Sequence, residues 1–505
     1  MASKQPARRL IVAAVRSRRA TRTMLACAHR LVATLALLLG CTSLSATGQI
    51  KLPDFGDSSA TVVNQGRERE IGEAFMRELR ASVVLVDDPL VTQYVQQLGR
   101  RLTSAFAAND QTFDFFVVDS KAINAFAAPG GFVGLNSGLI LAAESESELA
   151  SVLAHEIAHV TQRHIARGIE FSGRTTPLAI AGLLAALIVG TQNAEAGRAA
   201  AAAVQGVQAQ SRLDFSRSFE QEADRVGINM LDQAGFDPQG MADFFDKLQT
   251  AARYYRSPPE FLSTHPVTTA RIAEARGRAQ QLGYRQHANS LDFHLVKARL
   301  RVHPGEDNRA LLAYFDEQER IGHGAQQAGA RYGRALVQLR MGKLAEAERT
   351  LEKLRGEHPD SLALVVEVAR ARLRAGKSRE AISGLDDAFI LAPQDRMVAS
   401  ALSEALLDAG QPQRALQVLD EHDRSNHLDA AMLKLKAQAL DNLGRKAESQ
   451  LALAEHFYAL GQLNEAISQL RMAARRPNTS FYDASRIEAR LEQFEREHAE
   501  RSKQR

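Results

Sequence analysis

At 505 residues the chain is too long for one ordinary core, so two or more domains are expected, and its 45% hydrophobic and 24% charged content is that of globular proteins. The formal net charge of +4 is unevenly spread: residues 1–50 hold eight basic side chains (Lys4, Arg8, Arg9, Arg16, Arg18, Arg19, Arg22 and Arg30) and no acid, which leaves −4 for the rest. A basic surface for nucleic acid is thereby excluded.

Residues 1–46 read as a secretory leader. Basic residues precede a short apolar run from Leu31 to Gly40, then small and polar residues follow. A run of about ten residues cannot span a bilayer as a helix. Initiation at Met24 would give a leader of more usual length. Two processing routes are open: cleavage after Ala46, or lipidation of Cys41, since Leu38-Leu39-Gly40-Cys41 resembles a bacterial lipobox. Cys27 and Cys41 are the only cysteines, so the mature chain has no internal disulfide. Export without a cysteine framework points to the bacterial periplasm, with attachment to the outer membrane as a further option.

Residues 50–66 form an exposed lead-in. Helical patterning runs from Gly66 to about Ala107, broken at Asp87-Asp88-Pro89 and resumed over Val91 to Ala105. The aromatic and β-branched stretch Phe113 to Val118 predicts a strand, the segment from Ile123 ends in a turn at Ala128-Pro129-Gly130-Gly131, and Phe132 to Leu139 predicts a second strand. That second strand is either an ordinary hairpin strand or an edge along which an extended peptide lies. Its glycines would let another backbone approach closely.

Ser145-Glu146-Ser147-Glu148 reads as a capping box with Ser145 at the N-cap. Leu149, Val152, Leu153, Ile157 and Val160 recur at helical spacing, so the helix is largely buried. It carries His155-Glu156-x-x-His159. Imidazoles four apart lie one turn apart on one face and suit two corners of a tetrahedral zinc site, with Glu156 as base for the attacking water. Unpartnered polar groups on a buried helix cost about 1–3 kcal/mol each, so the arrangement needs a purpose.

Residues 177–190 contain no charged side chain. A buried core helix, a lid over the site and a surface contacting a membrane are all open readings. Phe219-Glu220-Gln221-Glu222-Ala223-Asp224 then opens a helix to about Gln233 that stops at Gly235. Glu220 and Asp224 share a face. Glu220 suits a third zinc ligand and Asp224 an acceptor for the free N–H of a ligand histidine, while Glu222 points elsewhere and is expected to be solvated. His265-Pro266 is extended before the next helix, where His265 either caps that helix or lies near the zinc. The other histidines, His164 included, are expected at the surface or at caps.

Together, His155-Glu156-x-x-His159, Glu220-x-x-Ala223-Asp224 and His265-Pro266 resemble the zinc-dependent peptidases related to the prenyl-protein peptidases and the heat-shock protease HtpX, and in particular the exported members with a helical-repeat tail. The resemblance spans nearly all of the mature chain. It implies His155, His159 and Glu220 as zinc ligands and Glu156 as catalytic base. It implies that His265 can take the fourth zinc position and hold the enzyme inactive. The turn at residues 128–131 and the strand after it would correspond to the substrate-binding edge. It further implies quality control of outer-membrane proteins in Gram-negative bacteria, including degradation of stalled assembly intermediates, with chaperone-like help in assembly.

Gly342, Gly376, Gly410 and Gly444 recur every 34 residues. Ala347, Ala381, Ala415 and Ser449 follow them at a fixed offset, and Ala335, Ala369, Ser403 and Ala437 precede them. This is the tetratricopeptide period. Gly461 with Ala466 comes half a period later, so one helix there serves two neighbouring pairs. Residues 292–327 read as a degenerate opening repeat, and a charged helix over about Ser485 to Glu500 as a cap.

The expected fold is mostly α: an α+β zincin-type peptidase domain with a small β-sheet over residues 50–290, then an α-helical repeat solenoid over residues 291–505. The expected function is a zinc endopeptidase with one Zn2+ per chain. It would act on protein substrates, outer-membrane proteins foremost, docked on outer-membrane assembly machinery through its repeats, with peripheral membrane contact open. The rival is a repeat-based chaperone or adaptor whose zinc site is structural or latent.

Overall fold

The two helical runs on either side of Asp87-Asp88-Pro89 form as α1 (Gln65–Ser82) and α2 (Pro89–Ala105). Proline opens α2, where a missing N–H is harmless, and Asp88 Oδ1 accepts from the amides of Leu90 and Val91 at 3.0 and 3.3 Å. The structure, a computed structural model, describes residues 65–106, 111–172, 209–254, 259–283, 287–477 and 479–503. The leader with Cys27 and Cys41, the lead-in before Gln65 and the apolar 177–190 segment lie outside the described residues.

Three short strands follow: β1 (Asp114–Val118), β2 (Ala125–Ala128) and β3 (Phe132–Asn136). Their order is β1-β3-β2, with β3 parallel to β1 and antiparallel to β2. This corrects two expectations. The strand after the glycine turn is central, flanked on both sides, and so is no edge for a peptide. It also stops at Asn136, because residues from Ser137 turn into a short helix, α3 (Ser137–Ala142). Gly134 does not admit a backbone: a Cβ there would lie 2.5 Å from the Phe126 ring and 2.8 Å from that of Phe116, so the missing side chain makes room for two aromatic rings. The outer edge of β1 is occupied, since Val86 N–H donates to Val117 O and Asp119 N–H donates to Val84 O, each at 2.9 Å. Among the described residues, no strand pairs with the outer edge of β2.

The helix with the paired histidines is α4 (Glu146–Thr161), buried over nearly its whole length. Ser145 Oγ accepts from Glu148 N–H at 3.1 Å. Glu148 returns not to Ser145 but to the Glu144 amide, at 2.7 Å, because the same carboxylate oxygen also accepts from Lys247 Nζ at 2.6 Å. After α4 come α5 (His164–Ser172), α6 (Ala209–Gln233), α7 (Gln239–Tyr254), α8 (Phe261–Thr264) and α9 (Thr269–Leu282). Both α6 and α7 pack on α4. The helix expected to open at Phe219 starts ten residues earlier, at Ala209, and the chain leaves it through Gly235 at φ 78°.

Twelve helices from Leu291 to Lys503 build the repeat half. Gly342, Gly376, Gly410 and Gly444 have φ of 79°, 76°, 69° and 76°, the left-handed turn that glycine adopts without strain. The small residues at fixed offsets are buried between paired helices, and Ser449 Oγ donates to Ala437 O across one such pair at 2.8 Å. The helix Lys446–Ala459 packs against both Ala430–Asn442 and Leu463–Ala474.

The repeat half grips α1 and α2, the first two helices among the described residues. Arg299 pairs with Glu367 and with Asp88, Gln93 Nε2 donates to Asp395 Oδ2 at 2.6 Å, Arg396 pairs with Thr92 and Asp87, and Arg80 Nη1 donates to Ala459 O at 2.8 Å. The linker between the halves is tied to the start of α4. Glu146 Oε1 accepts from Tyr94 Oη (2.9 Å) and Ser290 Oγ (2.7 Å), its Oε2 accepts from Ser290 N–H (3.1 Å), and its own amide donates to Asn289 Oδ1 (2.8 Å).

Ser145→Ala removes the N-cap of α4 and is expected to lower stability by about 1 kcal/mol, seen as an earlier urea midpoint with unchanged slope. An unchanged midpoint would show that the cap contributes nothing.

Candidate metal centre

Helical spacing brings His155 and His159 to the same face of α4, and their Nε2 atoms lie 3.1 Å apart. The glutamate on α6 meets them there: Glu220 Oε2 is 3.4 Å from His155 Nε2, and Glu220 Oε1 is 3.3 Å from His159 Nε2. His265, held just past α8 by its amide bonding to Phe261 O, adds Nδ1 at 3.3 Å from His155 Nε2 and 3.0 Å from Glu220 Oε1. One donor atom from each of these four residues lies within 4.8 Å of every other.

The edge lengths test whether a metal ion fits. A tetrahedron with metal–ligand arms of about 2.0–2.1 Å, as for zinc with nitrogen and oxygen donors, has edges of about 3.3–3.4 Å. The observed separations of 3.0–3.4 Å, taken to whichever Glu220 oxygen is nearer, lie at or slightly below that figure. Three imidazoles and a carboxylate without thiolate are donors that suit zinc.

Burial disfavours charge on His155, but hydrogen bonds to Asp224 and Glu220 outweigh it and raise the ring to about 10. Burial takes neighbouring His159 down to about 3. The rings thus accommodate one positive charge between them rather than two. Burial alone would raise the Glu220 carboxyl, yet His265, His155 and His159 hold it well below the usual carboxylate range.

Around the four donors stand groups that hold them in place. Asp224 Oδ1 lies 3.0 Å from His155 Nδ1, on the side of the ring away from Glu220. Arg271, on α9, donates to both Asp224 oxygens at 2.7 and 2.8 Å, and its Nη1 is 3.0 Å from Glu220 Oε2. Glu156 is buried; its Oε1 lies 3.5 Å from His265 Nε2 and is the carboxylate oxygen without a hydrogen-bond partner. Burial raises its carboxyl, opposed by His265 and His155, and less by a backbone hydrogen bond from Ala127 on β2. A carboxylate beside the donors with one unpartnered oxygen is placed to take a proton.

All six residues singled out in the sequence (His155, Glu156, His159, Glu220, Asp224 and His265) come together here. Three others belong with them. His164 is buried rather than superficial, with Nδ1 2.9 Å from His159 Nδ1. Glu222 is not simply solvated: its Oε2 is 3.1 Å from both His164 Nε2 and Arg167 Nη1. Arg271 locks the two carboxylates. Helical spacing did not show these: His164 reaches the site across a turn, Arg271 comes from another helix, and Glu222, on α6 with Glu220, meets its partners only because α5 packs beside it. The nearest signal was the bare presence of a histidine five residues after His159.

The sequence profile of peptidase family M48 matches residues 89–279, and a tetratricopeptide repeat profile matches residues 338–405. The chain is 38% identical over 444 residues to the beta-barrel assembly-enhancing protease of Escherichia coli K12, covering 88% of this chain and 91% of that protein. Identity to the Yersinia pestis protein of the same name is 34% over 445 residues, covering 88% and 92%. The mitochondrial metalloendopeptidase OMA1 of Schizosaccharomyces pombe is 31% identical over 189 residues, 36% of this chain and 51% of that protein. The chain therefore belongs to peptidase family M48, as a metallopeptidase with a tetratricopeptide-repeat half.

Proposed function

We propose that the chain is a zinc endopeptidase of the bacterial periplasm that degrades misfolded or stalled outer-membrane proteins and assists their assembly. The observation that carries this is the convergence of His155, His159 and Glu220 at tetrahedral edge distances beside the buried Glu156 carboxylate. The periplasmic assignment rests on the basic-then-apolar leader and on the relatives' name. Among the described residues, no helix is long and apolar enough to cross a membrane. Lipidation at Cys41 would add anchorage to the outer membrane. The division of labour follows the chain: residues 50–290 as the peptidase domain, residues 291–505 as the repeat domain.

His155, His159 and Glu220 would hold the ion, with Asp224 orienting His155. Zinc, when bound, lowers the pKa of water and polarises the scissile carbonyl. Glu156 takes the proton of the attacking water and passes it to the leaving amine. The substrate extends along the outer edge of β2, which no described strand covers and which lies next to Glu156; this edge replaces β3 in that role. His265 supplies a fourth donor and so holds resting activity low.

The repeat half would dock substrate or assembly machinery. Its side chains that grip α1 and α2 are already engaged, whereas Ile390 and Leu391 are 77% and 85% exposed and offer apolar contact to a protein partner.

Glu156→Gln is expected to keep one zinc per chain and to lower the turnover of an unfolded outer-membrane protein by about 10²–10⁴-fold. Retained cleavage would remove Glu156 from the mechanism. Undiminished complementation of a deletion strain by the same variant would favour the adaptor reading. His265→Ala is expected to cleave unfolded substrate faster than the unaltered chain. Cleavage no faster would refute the resting block.

A further inference from the structure

One buried histidine beside the donor cluster, His164, has no part in this mechanism. His164 spends both ring nitrogens on named partners: Nδ1 is 2.9 Å from His159 Nδ1, and Nε2 is 3.1 Å from Glu222 Oε2. Glu222 Oε2 in turn accepts from Arg167 Nη1 at 3.1 Å, and the Arg167 guanidinium lies 4.5 Å over the Phe219 ring. His164 itself stacks on Phe219 at 4.2 Å with the planes 9° apart. Packing explains the stacking, but an aromatic hydrocarbon ring would stack as well. It does not explain why two polar atoms are buried in matching positions.

Hydrogen-bond direction along this row is fixed from its inner end. His159 Nε2 faces Glu220 and His155, so a His159 that gives Nε2 to a metal must carry its proton on Nδ1. That N–H points at His164 Nδ1, which must then accept. The His164 proton is thereby placed on Nε2 and donated to Glu222. Every donor meets an acceptor, and the row ends on a carboxylate at the protein surface.

The backbone is bent to make this possible. Residues five apart cannot share a helix face, and α4 ends at Thr161. Arg163 has φ 54°, the only positive φ at a non-glycine residue among the described residues. This left-handed turn swings His164 back under His159. Arg163 is anchored by Glu68 on α1, whose Oε1 accepts from Nε at 2.9 Å and Nη2 at 2.6 Å. A strained conformation persists where the surroundings over-determine it, often beside a functional group.

We propose that His164, backed by Glu222 and Arg167, is a positioning residue that fixes the tautomer and ring orientation of His159 for metal binding. His155 is held directly by a carboxylate, Asp224, whereas His159 is held through an interposed neutral imidazole. The proposal rests on the reading of His159 as a metal ligand, and the test separates the two.

The full-length chain is stripped of metal and titrated with zinc against a chelating indicator. The unaltered chain, His164→Phe, His164→Asn and Glu222→Ala are compared, each checked for folding by circular dichroism and thermal melting. His164→Phe keeps the stacking and loses the acceptor, and is expected to bind zinc about 10–100-fold more weakly. His164→Asn restores an acceptor near the Nδ1 position and is expected to recover most of that loss. Glu222→Ala, at a partly exposed position, is expected to weaken binding by a smaller factor. With cobalt(II), the visible ligand-field bands should shift in His164→Phe and return in His164→Asn. Unchanged zinc affinity in His164→Phe, or equal losses in His164→Phe and His164→Asn, would overturn the proposal. Should His164→Phe not fold, Glu222→Ala decides, and unchanged affinity there overturns it. If the unaltered chain binds no zinc, the metal-centre reading fails first and the positioning role with it.

Discussion

Everything in the peptidase half is arranged around bringing Lewis-basic atoms closer together than they would choose to lie. Two imidazole nitrogens at 3.1 Å crowd one another, and with a carboxylate at 3.3–3.4 Å from them they have lost most of their water. Such a cluster persists because its backing is charged and rigid. Arg271 bridges Asp224 and Glu220 from a 5%-exposed position, and Asp224 in turn meets His155. Removing one partner of a buried ion pair costs about 3–5 kcal/mol, so this backing keeps its geometry under thermal motion. A divalent ion is the species whose charge resolves the remaining conflict among the donors.

The same constraint explains the surroundings. Buried on nearly every side, α4 has its carboxyl-terminal histidines in the donor cluster and its amino-terminal Glu146 in a hydrogen-bond hub with Tyr94 and the linker to the repeats. The linker to the repeats is thus joined to the start of the metal helix by hydrogen bonds from Ser290 and to Asn289. The repeats also hold α1 and α2 through Arg80, Arg299 and Arg396. The two halves are joined at these contacts, and the repeat half braces the helices it touches.

Much of this was legible because it follows from short-range periodicity. Four-residue spacing placed His155 with His159 and Glu220 with Asp224, and the 34-residue glycine spacing produced the turns at Gly342, Gly376, Gly410 and Gly444. What escaped is set by tertiary structure. Strand order has no one-dimensional signature, so β3 read as an edge although β1 and β2 flank it. His164 read as superficial because its placement depends on a left-handed Arg163, which no propensity scale favours. Glu222 sits on the helix face away from Glu220, and α5 reaches over part of that face to meet it, leaving the carboxylate partly exposed. Arg271 lies on a separate helix 47 residues beyond Asp224, so only the fold could pair them.

The most direct test is the position of the ion itself. Crystals of the purified chain, with diffraction recorded on either side of the zinc absorption edge, should give one strong anomalous peak among His155 Nε2, His159 Nε2 and the Glu220 carboxylate, at about 2.0–2.2 Å from each. A zinc peak elsewhere in the chain, or none at these donors in a zinc-replete crystal, would contradict the account.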